Sequence, residues 1–204
     1  MRDKEFFAST AMAVVYLAVG IIATYATIVY ATESSSSPVT DIILSNIRVY
    51  DVDGIFVYGP LFFWAVIIAY LFFEPKKIPF TLKSLAIFLL IRSFFVSLTH
   101  VGPFPVHAQI NTTGFLGILT SGNDLFFSNH TGMPFLMALI FWDDVVMRVF
   151  CIASSVVFGI IVLLAHVHYS IDVFGAFFIT YTIYHITEHL FKEDRRTFFH
   201  GLKI

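Results

Sequence analysis

The chain has 204 residues, 58% of them hydrophobic and only 13% charged, with 25 phenylalanines and a formal net charge of −2. An average soluble domain carries roughly 25% charge. The composition therefore excludes a soluble globular domain, a disordered chain and a nucleic-acid binder, and points to an integral membrane protein.

A spanning helix needs about 20 mostly apolar residues, and six runs of that kind follow one another. Residues 7–32 form the first, too long for the core of a cleavable signal peptide and so read as a permanent span. In the segment 33–53 that follows, the serines Ser34–Ser37 and Pro38 read as loop. Ile42, Ile43, Leu44, Ile47 and Val49 then suggest a short helix lying at the interface. Residues 54–73 are the second span, and 81–101 the third, interrupted by Lys83 near its start and Arg92 near its middle. Residues 125–142 are the fourth, about 27 Å as a helix and so just long enough. Residues 145–165 and 170–191 are the fifth and sixth. The expected fold is all-α: one polytopic bundle of six transmembrane helices covering residues 1–204, with no internal repeat and no appended soluble domain.

Six spans put both termini on one side, and lysine and arginine assign that side. With the N-terminus cytoplasmic, the inner segments hold Arg2, Lys4, Lys76, Lys77, Lys83, Arg148, Lys192, Arg195, Arg196 and Lys203. The outer segments then hold only Arg48, so both termini are expected in the cytoplasm. The single cysteine, Cys151, excludes an intramolecular disulfide and any cysteine-based metal site.

By this topology two polar stretches fall at the outer ends of spans. One reads Asp124-Leu-Phe-Phe-Ser128-Asn129-His130-Thr131, the other His166-Val-His168-Tyr169-Ser170-Ile-Asp172-Val. His168 and Asp172 are four apart and share a helix face. A carboxylate on one ring nitrogen fixes the tautomer and leaves the other nitrogen free to attack. A second histidine, His130, can protonate a leaving oxygen. The N-terminus of the sixth helix adds backbone N–H donors for phosphate oxygens. The pattern alone leaves two readings open: solvated helix ends with their caps, or a phosphate-transfer site.

The same residues resemble the sphingomyelin synthase family, a branch of the type 2 phosphatidic acid phosphatase superfamily. That family's third motif reads Cys-Gly-Asp-x-x-Phe-Ser-Gly-His-Thr, and Ser121-Gly122-Asn123-Asp124-Leu125-Phe126-Phe127-Ser128-Asn129-His130-Thr131 is similar to it. The fourth reads His-Tyr-Thr-x-Asp-Val, and His168-Tyr169-Ser170-Ile171-Asp172-Val173 resembles it. Asn129 replaces the motif glycine, Ser121 its cysteine, and Val162 stands where the wider superfamily has an arginine. The resemblance implies His168 as nucleophile, Asp172 as its orienting partner and His130 as general acid. It implies Asp124, Ser128, Asn129, Tyr169 and Arg92 as substrate-binding residues, and a phosphohistidine intermediate that needs no metal or other cofactor.

Other residues carry weaker signals. His185-Ile-Thr-Glu188-His189 has the spacing of an inverted zinc motif, but falls at the inner end of the sixth span, where an interfacial polar cluster is the preferred reading. Arg92, a mid-membrane charge, either anchors the fold through an acidic partner or reaches a lipid phosphate. His100 and His107 are candidates for a pocket entrance. Asp143 and Asp144 mark the membrane boundary, Asn111-Thr112-Thr113 is an outward sequon, and Gly175 and Ala176 are expected to let helices approach.

The expected function is a membrane enzyme that splits or transfers a lipid phosphoester at the exoplasmic face, or the periplasmic face of a bacterial inner membrane. Its partners would be a phospholipid substrate and a ceramide or diacylglycerol acceptor, with a homo-oligomer left open. A phosphatase that only hydrolyses is the alternative. A transporter or channel is less favoured, because a path would place polar groups at several depths.

Overall fold

The computed structural model describes residues 2–108 and 125–200. The regular elements among the described residues are all helical. They are α1 (Arg2–Glu33), a 3-10 turn (Leu44–Asn46), α2 (Asp53–Phe73), a second 3-10 turn (Pro75–Lys77), α3 (Ile78–Leu98), α4 (Asn129–Ile140), α5 (Val145–Leu164), α6 (Ser170–Leu190) and α7 (Lys192–His200). Among the described residues, four helices are long and apolar enough to cross a membrane: α1, α2, α3 with its preceding turn, and α5.

The other two expected spans differ in kind. The fourth, expected over 125–142, is helical only from Asn129 to Ile140. Its 12 residues amount to about 18 Å, short of a hydrocarbon core of about 30 Å. The cause is tertiary. Ser128 sits in extended backbone as the helix N-cap, and the residues around it are held by bonds to other helices. The sixth keeps its expected length, but Asp172, Thr180 and Thr187 are buried along it. These polar residues face protein, so α6 is a core helix of the bundle.

α4 sits at the centre, where Leu136, Met137 and Ala138 are fully buried. Close approach there depends on two glycines. A Cβ on Gly132 would meet the Phe88 ring at 2.8 Å, and one on Gly159 would meet Val173 at 3.1 Å and Thr131 at 3.3 Å. The small residues expected in this role were Gly175 and Ala176. Ala176 is buried, but Gly175 faces open space.

Lys83, anomalous in an apolar run, is buried and paired. Its Nζ lies 2.6 Å from Asp194 Oδ2 and donates to Ser9 Oγ at 2.8 Å. The partner offsets the cost of burying the ammonium and ties α7 to α1 and α3. Arg195 sits over the rings of Phe80, Tyr184, Phe198 and Phe199. The short helix expected near residues 42–49 is only the turn Leu44–Asn46. Leu44 is buried, packing with Leu125 and Tyr169 rather than lying on a membrane surface.

Candidate active site

The turn between α5 and α6 carries the first half of the site. His166 closes α5 in the left-handed region, φ 56°, a conformation that costs a non-glycine residue about 1–2 kcal/mol. Tertiary contacts hold it there: its Nδ1 lies 3.0 Å from the Val106 carbonyl oxygen and its ring meets Phe104 edge-on. Two residues on, His168 Nδ1 lies 3.3 Å from Asp172 Oδ2. Both residues are 6% exposed. The same carboxylate oxygen accepts the Tyr169 N–H at 3.0 Å. The carboxylate thus engages Nδ1, and Nε2 is the nitrogen available for attack.

The second half comes from the start of α4. The Ser128 N–H donates to the Asp172 carbonyl at 3.1 Å, which joins the two motifs directly. Arg92, 2% exposed on α3, donates from Nε to the Phe127 carbonyl at 3.0 Å. It therefore holds backbone beside the motif, a role the sequence reading did not include. The first intrahelical bond of α4 runs from Gly132 N–H to the Ser128 carbonyl. The Asn129 and Thr131 N–H groups precede that bond, and a helix start of this kind is receptive to an anion. Ser128 Oγ and Asn129 Oδ1 are buried there without a hydrogen-bond partner among the described residues.

His130 follows in the same turn, its ring 4.4 Å from that of Phe56. It borders an apolar cavity of about 350 Å³ between α1, α2, α4 and α5, whose lining includes Phe56, Val57, Trp64 and Met133. That is within the range of small-molecule sites.

The helix-end donors expected at α6 are engaged elsewhere. The Ser170 N–H donates to Asp41 Oδ2 at 2.7 Å, Tyr169 N–H to Asp172, and Asp172 and Val173 N–H to the Tyr169 carbonyl. Tyr169, 3% exposed, uses its hydroxyl to bridge two loops. It donates to the Gly102 carbonyl at 2.8 Å and accepts the Val39 N–H at 3.2 Å.

Asp124 and the sequon at Asn111 lie outside the described residues. His100 and His107 do not line the cavity; the His100 carbonyl accepts the Ser36 N–H, and His107 Nδ1 lies 2.7 Å from the Phe104 carbonyl oxygen. Asp144 caps α5 through the Val146 and Met147 N–H groups. Glu188 of the inner cluster is engaged by Tyr184, His185 and Arg195. Asp41 is the site-side residue that sequence reasoning missed. Its position in a loop hints at a local turn, and its bond to Ser170 has no local signature.

Residues 121–190 match the PAP2 superfamily C-terminal domain. The match takes in both halves of the site and supports the type 2 phosphatidic acid phosphatase superfamily. Members of that superfamily are phosphatases and phosphoesterases, which supports an enzyme here. With the apolar helices, it also supports an integral membrane protein of lipid metabolism. No curated protein matches the chain, and no solved structure does.

Proposed function

We propose that the protein is a lipid phosphoesterase that works through a phosphohistidine, and that it transfers a phospholipid headgroup in the manner of a sphingomyelin synthase. His168 Nε2 attacks phosphorus while the bond to the leaving lipid oxygen breaks. His130 gives that oxygen its proton. Asp172 steadies the charge that grows on the imidazole. In the second half, a lipid hydroxyl attacks the phosphohistidine, His130 takes its proton, and His168 is regenerated. The α4 start, with Ser128 Oγ and Asn129, cradles the phosphate oxygens. Tyr169 belongs to the surrounding wall, and Arg92 holds the backbone that leads into the cradle. No step requires a metal.

The observation that carries this reading is a buried His–Asp pair bonded, through Asp172 and Ser128, to an anion-receptive helix start inside the segment that matches a phosphoesterase family. The apolar cavity beside His130 supports a lipid as the substrate. The test is to incubate purified protein with labelled phospholipids, with and without ceramide or diacylglycerol, in the presence of a chelator. Transfer predicts a new labelled lipid only when acceptor is present. Free phosphate or phospho-headgroup in both conditions would make the protein a phosphatase or phospholipase, and no product with any lipid would reject the enzyme reading.

We also place the site at the exoplasmic face, with six membrane-embedded helices and both termini cytoplasmic. A cysteine introduced at Ser35 should then react with an impermeant thiol reagent on intact cells. One introduced at Lys76 should react only after permeabilisation. The reverse pattern would turn the site to the inside.

A further inference from the structure

We propose that Asp41 is a positioning residue for the His168–Asp172 pair, keeping the Asp172 carboxylate on the imidazole by capping α6 from a remote loop. The proposal rests on the reading of that pair as the catalytic one. Asp41 lies outside the segment that matches the family and 129 positions from Ser170, whose N–H it accepts at 2.7 Å through Oδ2. Its Oδ1 accepts the N–H groups of Ile43 at 2.8 Å and Leu44 at 3.0 Å. One carboxylate, 8% exposed, thus fastens its own loop with one oxygen and the catalytic helix with the other.

The need for this cap follows from the sequence of the turn. The first amides of a helix lack intrahelical carbonyls, and a Ser, Thr, Asp or Asn side chain at the N-cap ordinarily takes one of them. The N-cap of α6 is Tyr169, whose hydroxyl is turned to Gly102 and Val39. The acidic side chain within the turn is Asp172. Its Oδ2 already receives the Tyr169 N–H and lies beside His168. Without Asp41, the half-buried Ser170 N–H would compete for that same carboxylate and draw it from the imidazole. Asp41 removes the competition. Burial alone would raise the Asp41 carboxyl, but the hydrogen bonds from Leu44, Ser170 and Ile43 outweigh it and hold the group below the usual carboxylate range. The acceptor is therefore ionised at neutral pH, and a negative charge suits a helix N-terminus.

The loop is also fixed around Asp41. The Ser36 N–H donates to the His100 carbonyl and the Gly102 N–H to the Ser37 carbonyl. A Cβ on Gly102 would lie 2.1 Å from the Ser36 carbonyl oxygen. Asp41 therefore approaches α6 from an anchored segment.

The test uses full-length protein in detergent with ¹⁵N-labelled histidine, the His168 signal being assigned by its loss in His168→Ala. Wild type should show a single His168 tautomer protonated on Nδ1. Asp41→Ala should give a mixture of tautomers, with kcat lowered roughly 10- to 100-fold, as misplacement of a reacting group does, and KM little changed. Asp41→Asn retains one acceptor oxygen and should show a smaller effect in the same direction, which keeps the test open should the alanine variant fold poorly. In an Asp172→Asn background, Asp41→Ala should cost little more, because the two act in series. An unchanged His168 tautomer in a folded Asp41 variant, or full additivity with Asp172→Asn, would overturn the proposal. The tautomer readout needs no turnover, so a failure of the catalytic assignment, seen as activity surviving in His168→Ala, is a separate result.

Discussion

His168→Ala should abolish turnover of every phosphoester, whereas His130→Ala should cripple it, and only for substrates whose leaving group needs a proton. The difference follows from the two roles. With no imidazole at position 168 there is no atom to form the P–N bond, whatever the substrate. His130 contributes a proton to a lipid alkoxide, and general acid catalysis of that kind is typically worth 10²–10⁴-fold, roughly 3–5 kcal/mol of barrier. A p-nitrophenolate departs without such help. The ratio of kcat/KM for a natural phospholipid to that for a p-nitrophenyl phosphoester should therefore fall by two orders of magnitude or more in His130→Ala. Asp172→Asn should lie between the two histidine variants on both substrates, because the imidazole remains but loses the carboxylate that engages Nδ1. If His168→Ala retains the activated ester while His130→Ala loses it, the roles are reversed.

Arg92→Met should reduce both stability and activity. The guanidinium is 2% exposed and its Nε donates to the Phe127 carbonyl. Removing the donor leaves a buried carbonyl unpaired, a cost of about 1–3 kcal/mol, and releases the strand that leads into Ser128 and the start of α4. Arg92→Lys should rescue poorly, because an ammonium cannot reproduce the fixed planar fork of the guanidinium. Equilibrium unfolding in mixed detergent, measured beside kcat, is the appropriate check. An arginine that served lipid phosphate alone would behave differently: KM would rise while the unfolding transition stayed in place.

Much of this arrangement is legible in the residues themselves. The apolar runs that became α1, α2 and α5 are long and uninterrupted enough to stand out, and that of α3 does so despite Lys83 and Arg92. The pairing of His168 with Asp172 matches their spacing, although His168 lies ahead of α6 and Asp172 meets it by reaching back across the N-cap rather than along a helix face. What escaped has a common cause. Leu125, Phe126 and Phe127 are as apolar as any helical stretch, yet they stay outside α4 because Arg92 and Asp172 hold the backbone around them. Hydropathy cannot register a hydrogen bond to a distant helix. The donors at the head of α6 looked free because Asp41, which occupies one of them, lies far away in sequence. The bond of Arg92 to the Phe127 carbonyl was not legible either, because a backbone carbonyl leaves no mark in a sequence.

On the proposed reading, the brevity of α4 sets how deep the reaction runs. Tyr70 near the end of α2 donates to Asp144 at 2.9 Å, so the far end of α4 is level with the join between α2 and α3. From there α3 rises through its 21 residues, about 31 Å, while α4 stops after about 18 Å. Arg92, which donates to the Phe127 carbonyl ahead of α4, lies about 9 Å from the C-terminal end of α3. The reacting phosphorus would thus lie under the level of the headgroups. A lipid would reach it by sinking along the bundle, with its tails still among their neighbours, and a charged headgroup would have to cross an apolar stretch to arrive. Thinning the surrounding bilayer shortens that descent, so the thickness of the host membrane would act as a control on the rate.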